Sequence, residues 1–134
     1  MRLSVYDQEV DATLMDLTLS AAIERTYRDL ELSITNERIM QLMGDYLFDP
    51  HGDGRLLVRQ LSGGQKARLQ IIKLMANNPN MLILDEPTNH LDLPSIEELE
   101  KSLGSYHGAI LYVSHDSYFV QNLGGEKITL IAAK

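Results

Sequence analysis

The sequence predicts an α/β fold built on a mainly parallel sheet, with a small helical lobe beside it. Three observations carry this reading. Strand-like runs alternate with amphipathic stretches along the second half of the 134-residue chain. Two of those runs, MLILDEP and GAILYVS, are apolar almost without interruption, the pattern of strands buried on both faces. Two helical patterns also stand side by side ahead of that alternation, with no strand between them.

RLSVYDQ opens the chain with Leu3, Val5 and Gln8 spaced as in a short strand that gives way to a loop near Asp7. TLSAAIERTYRDLEL follows: Thr18 suits an N-cap, and Ala22, Ile23, Tyr27 and Leu30 recur at helical spacing. TNERIMQLMGDYLF repeats the pattern, with Thr35 as cap and a stripe of Ile39, Leu42, Met43, Tyr46 and Leu47. DPHGDGR, residues 49–55, is dense in turn formers and reads as a loop. After LSGG a third helix is expected through Lys66 to Ala76, capped by Ser62 or Gly63 and stopped at NNPN. MLILDEP is the next strand, and Pro94 at a first helical turn opens a helix with Ile96, Leu99 and Leu103 on one face. GAILYVS, a short helix around DSYFVQNL and a last strand KITLI complete the series. These stretches divide into residues 1–15 (strand and following loop), 16–60 (helical subdomain) and 61–134 (remainder of the core).

A chain of this length suits one domain at most. Its apolar and charged fractions, 44% and 23%, are those of an ordinary soluble globular protein. No stretch approaches the ~18–20 consecutive apolar residues of a membrane span, and MRLSVYDQEVD lacks the apolar run of a leader peptide, so a cytoplasmic protein is expected. Without cysteine it has neither disulfides nor thiolate metal ligands. A net charge of −7 opposes stand-alone, non-specific binding to a phosphate backbone.

In open parallel sheets, ligands bind beyond the carboxyl ends of the strands. Asp85 and Glu86 end one predicted strand and His115 follows the next, so adjacent strands would bring all three to one crevice. Such a set suits metal-assisted hydrolysis of a phosphoanhydride: one carboxylate positions Mg²⁺, the second orients or deprotonates water, and the imidazole senses the terminal phosphate. Each residue alone has a plainer explanation. Acids after a strand are ordinarily loop or cap residues, a lone histidine is ordinarily structural, and Ser-Gly-Gly by itself is a turn. Lys66 and Arg68 read equally well as solvated helix charges.

Order and spacing together say more. LSGGQ resembles the signature motif of ABC-type ATPases, MLILDEP their Walker B strand with its following glutamate, Leu91-Asp92 their D-loop, SHD their switch-histidine segment and YDQ their Q-loop. DEPTNHLD, LSGGQKARL and VSHDSYF are most similar to the ABC-F branch, soluble proteins with two tandem nucleotide-binding domains, many acting at the ribosome or in antibiotic resistance. The resemblance implies a partial P-loop NTPase core that works with ATP and Mg²⁺. It gives Asp85 the metal through water, with Gln8 coupling metal and water to the helical lobe; Glu86 the polarisation of attacking water; and His115 contact with the γ-phosphate. Ser62, Gly63, Gly64 and Gln65 would meet a nucleotide carried by a second ABC domain, and Asp92 would organise the interface between domains. Close backbone approach with N–H groups able to donate is the physical use of the two glycines, and Ser62 adds a hydroxyl at a helix N-terminus.

ATP is ordinarily gripped by G-x-x-x-x-G-K-[ST], and this chain contains no such loop. The expectation is therefore part of an ABC-F ATPase that is inactive alone, with a complete small protein working beside a partner as the alternative. A transporter ATPase and a non-catalytic half-domain that binds through residues 16–50 remain as other functions. A sheet lacking its usual cover is expected to bare Ile83, Leu84, Leu111 and Val113, and to be covered by another copy of the chain.

Overall fold

The computed structural model describes residues 2–7, 9–89 and 91–114. The expected helix at DSYFVQNL, the strand KITLI, His115 and Gln8 lie outside the described residues. Strand β1 is Leu3–Val5, helix α1 Leu19–Asp29, α2 Asn36–Asp45, α3 Gly63–Ala76, strand β2 Met81–Asp85, helix α4 Leu93–Gly104 and strand β3 Ala109–Val113. Short 3-10 turns occur at Ala12–Leu14, Asp53–Arg55 and Val58–Gln60, so the turn-rich segment at residues 49–55 is partly ordered into a turn of helix.

Capping sets the helix starts. Thr18 accepts a hydrogen bond from the Ala21 N–H at 3.2 Å and Thr35 from the Arg38 N–H at 3.1 Å, each satisfying a donor that the first turn leaves open. The ends of α1 and α2 are less expected. Glu31 and Leu47 take left-handed conformations, with φ of 59° and 67°. Around Leu47 the Phe48 N–H donates to the Met43 carbonyl and the Leu47 N–H to the Gly44 carbonyl, the paired bonds of a Schellman motif. The same pair forms around Glu31, from Leu32 to Tyr27 and from Glu31 to Arg28. Leu47 therefore leaves the expected apolar stripe and is exposed, while Ile39, Leu42 and Met43 are buried and Tyr46 is half-buried.

The lobe's core joins Leu19, Ala22 and Ile23 of α1 to Ile39, Leu42 and Met43 of α2, closed by Phe48, Val58 and Leu61. Helix α3 contributes Leu69 and Ile72 to this core and, from its other side, Ile71 and Leu74 to a second core beneath the sheet. The three strands run parallel in the order β1-β2-β3, and Val5, Ile83 and Leu111 lie in one row across them. Leu82 and Leu84, 0% and 1% exposed, face Leu99 and Leu103 of α4 together with α3.

On the opposite face the expectation of strands buried on both sides fails, while the expected baring is seen at Leu111 and Val113. Leu3, Val5, Leu111 and Val113 are 47%, 58%, 49% and 54% exposed, so among the described residues the sheet is fully covered on one side only. The reason is geometric: α3 and α4 pack on one face, and the two-residue period of a strand sends every other side chain to the uncovered one. Leu84 lies on the covered face and is buried, Ile83 is half-buried, and only Leu111 and Val113 of the four are exposed. Among the described residues no helix is long and apolar enough to cross a membrane.

Candidate functional site

The start of α3 is built around Ser62. Its Oγ accepts from the Gln65 N–H at 3.1 Å, and the Gln65 Oε1 accepts from the Ser62 N–H at 2.9 Å, closing a capping box. Gln65 thus uses its carbonyl oxygen to shape the helix start. A serine hydroxyl that accepts here still has one proton to donate, and Ser62 is exposed. Gly63 is also exposed, with nothing near the position a Cβ would take.

Gly64 has a different environment. A Cβ on it would run into the carboxylate of Asp92, so only glycine admits the approach of α4. Asp92 is the N-cap of α4, its Oδ1 accepting from the Ser95 N–H at 3.0 Å. The Ser95 hydroxyl donates to the Gly64 carbonyl at 3.2 Å, from a fully buried position. Hydrogen bonding by Ser95, with the Arg68 guanidinium nearby, holds the Asp92 carboxyl below the usual aspartate range despite partial desolvation. The starts of α3 and α4 are thereby fastened together.

Arg68 is no solvated charge. Its Nη1 donates to the Leu47 carbonyl at 3.2 Å, its Nε to the Gly64 carbonyl at 3.4 Å, and its guanidinium lies 5.2 Å from the Phe48 ring centroid. One side chain links the signature helix to the end of α2.

The parallel sheet brings the carboxyl ends of its strands to one edge. Asp85 closes β2 and is exposed. Glu86 follows with φ of 45°, a conformation that few residues other than glycine adopt. Its N–H donates to the Val113 carbonyl at 2.8 Å, its carbonyl accepts from Asn89, and buried Pro87 anchors the turn. Backbone strain of this kind persists where its surroundings enforce it and is concentrated at functional positions. Asp92 follows Asp85 by seven positions, so the acidic strand end and the α3–α4 junction are close in the chain.

Of the expected site residues, Gly64 and Asp92 are in contact, Ser62, Gly63 and Gln65 share one helix start, and Asp85 and Glu86 share one strand end. Gln8 and His115 lie outside the described residues; Asp7 lies two residues beyond β1, and Ser114 directly follows β3. Ser95 and Gln70 escaped the sequence reading. Gln70 carried a signal, a polar side chain within the apolar run LQIIKLM. Asp85 is a hard, exposed oxygen donor of the type Mg²⁺ takes alongside phosphate oxygens and water, so the donor chemistry fits. Among the described residues no cluster of three or more His, Cys, Asp or Glu could hold a metal by itself.

Residues 2–89 match the family model described as ABC transporter. The chain is 38% identical over 116 residues to ABC transporter F family member 2 of Arabidopsis thaliana, covering 87% of this chain and 16% of that protein. It is 53% identical over 66 residues to the energy-dependent translational throttle protein EttA of Mycobacterium tuberculosis, covering 49% of this chain and 12% of that protein. The chain thus spans less than a fifth of the length of these relatives. Among solved structures it matches the dimeric post-hydrolysis state of an ATP-binding cassette bound to ADP and Pi, with a TM-score of 0.69 and 21% identity, over 90% of this chain and 55% of that one. At that identity the likeness establishes the fold alone, an α/β core on a parallel sheet.

Proposed function

Because the chain belongs to the ABC transporter family, with relatives in its F branch, we propose that it is part of an ABC-F type ATP-binding and ATP-hydrolysing protein. The observation that carries this reading is the end of β2: Asp85 exposed at the carboxyl edge of a parallel sheet, followed by Glu86 held at φ 45° by the Val113 carbonyl. A carboxylate fixed there is suited to orient water for attack on a phosphoanhydride. In this reading Asp85 holds Mg²⁺ through water, with Gln8 beside it, and His115 contacts the γ-phosphate. Bound Mg²⁺ neutralises charge on the transferring phosphoryl group. Ser62 and the N–H groups of Gly63 and Gly64 meet the terminal phosphate of a nucleotide held by a second ABC domain, and Gln65 keeps that helix start in shape. Asp92 sets the junction that the opposing domain meets.

The chain has no G-x-x-x-x-G-K-[ST] segment, so turnover by this chain alone is not expected. Its parts divide at residues 15/16 and 60/61 into strand and Q-loop, helical subdomain, and signature with Walker B core. Action on the ribosome during translation is favoured by the name of EttA, and a cytoplasmic setting agrees with a cysteine-free sequence. Service to a membrane transporter is the second reading, favoured by the family's own description.

The test is to fuse the phosphate-binding portion of EttA upstream of this chain and measure phosphate release. ATP turnover is expected, and Glu86→Gln should lower it by about 10²–10⁴-fold, the span of general-base catalysis, while nucleotide binding persists. Equal turnover by the Glu86→Gln fusion would remove the role assigned to Glu86. A folded fusion that binds ATP without hydrolysing it would remove the ATPase reading.

A further inference from the structure

Gln70 is 3% exposed in the middle of α3, on a helix otherwise buried through apolar side chains. Its Nε2 donates both protons across the fold, to the Asp7 carbonyl at 2.9 Å and the Glu9 carbonyl at 2.8 Å. Its Oε1 is buried and accepts no hydrogen bond among the described residues. A leucine or methionine at this position would fill the same space without stranding a carbonyl oxygen, so packing does not explain a glutamine. What the carboxamide does is hold two backbone carbonyls that flank position 8 in the chain. Those carbonyls belong to the segment just after β1, whose last tie to the sheet is the Tyr6 N–H on the Ile83 carbonyl.

The same helix begins at Ser62 and Gly63. Gln70 stands eight residues beyond Ser62, about 12 Å along the axis at 1.5 Å per residue, and a helix of this kind moves as one body. We propose that Gln70 is a positioning residue that makes Asp7 and Glu9 follow the signature helix, so that displacement of the Ser62–Gly64 end is felt at the two residues that flank position 8 in the chain. The functional side of this inference rests on the ATPase reading above; the mechanical side does not.

The experiment compares the 134-residue chain with Gln70→Met, which keeps size and removes both donors, and with Gln70→Glu, which keeps shape and leaves at most one proton to donate. In hydrogen exchange, the hydrogen-bonded amides of Tyr6, Thr13 and Leu14 on either side of the tethered segment should exchange about tenfold faster in both variants, the change expected when two hydrogen bonds of ordinary net strength are lost from a local opening. Protection across residues 63–76 should be unchanged. The carbonyl ¹³C resonances of Asp7 and Glu9 should shift while those of the α3 backbone stay in place. In the ATP-hydrolysing fusion, Gln70→Met should lower kcat and leave KM for ATP unaltered. Unchanged exchange at these amides, with the Asp7 and Glu9 carbonyl resonances unmoved, overturns the tether. Faster exchange spread evenly over α3 and the sheet reduces Gln70 to a packing residue. A freed loop with full kcat overturns the coupling. If the fusion with Gln70 intact fails to hydrolyse ATP, the ATPase reading falls and the exchange pattern still decides the tether.

Discussion

Gly64 is fixed by what lies against it, since the carboxylate of Asp92 occupies the place of a side chain. The Asp92 carboxylate is also committed to capping α4 through the Ser95 N–H, so it cannot move aside without giving up the cap. Gly64→Ala should therefore destabilise the protein by on the order of 1–2 kcal/mol, as loss of an aspartate N-cap does. Asp92→Ala should cost about 1 kcal/mol by itself. In urea titrations, Gly64→Ala on the Asp92→Ala background should cost clearly less than on the native one, because the two changes break one contact. Strict additivity would mean that the two residues do not constrain each other. The lowered carboxyl of Asp92 also gives the effect a pH dependence. Its charge-dependent contribution is present above the ordinary aspartate pKa of about 3.9 and disappears as the pH falls through the lower folded value, so the cost of Asp92→Ala should shrink in strong acid.

At the scale of elements, α4 carries an acid on its buried side. Glu98 is buried, and desolvation raises its carboxyl above the ordinary glutamate range; Asp45 adds to the rise, while Lys101 and Arg68 oppose it. The folded state thus favours the protonated form. That preference is complete below the unfolded pKa of about 4.3 and is lost as the pH climbs through the raised folded value. Glu98→Gln should accordingly raise Tm by a few degrees at pH 7 and leave it unchanged near pH 4. A gain of the same size at both pH values would assign the effect to packing.

The helices themselves were legible: Thr18, Thr35 and Ser62 announce their starts through cap chemistry, and spacing identifies the buried residues of α1 and α2. The helix ends at Glu31 and Leu47 were not, because a left-handed C-terminal residue is signalled by glycine and neither of these positions is one. Nor could the apolar runs in β2 and β3 tell how many of their faces are covered, since coverage depends on where α3 and α4 lie. The motif residues of the site stood out in sequence, whereas their supports did not. Ser95 and Gln70 act through contacts 31 and about 60 residues away, and no local pattern encodes such partners.

Taken whole, the described part of the molecule is a sheet with helices on one side. The row Val5–Ile83–Leu111 crosses the middle of the uncovered face, with Leu3 and Val113 beside it, and β1 and β3 are each paired along one edge among the described residues. Covering a large apolar side chain is worth about 1.5–3 kcal/mol, so burial of this face would yield a large driving force for association. The net charge of −7 opposes it by repulsion between copies, and salt screens that repulsion. The chain should therefore self-associate at micromolar concentration, more strongly at high salt than at low. Replacing Val5 and Leu111 together by glutamate would put a carboxylate on either side of Ile83, and light scattering should then report a monomer. Binding of an apolar fluorescent dye should fall at the same time, with little change in Tm, because both positions are exposed in the native chain. A native chain that stays monomeric at every salt concentration and binds no dye would mean that the face is covered within the chain itself.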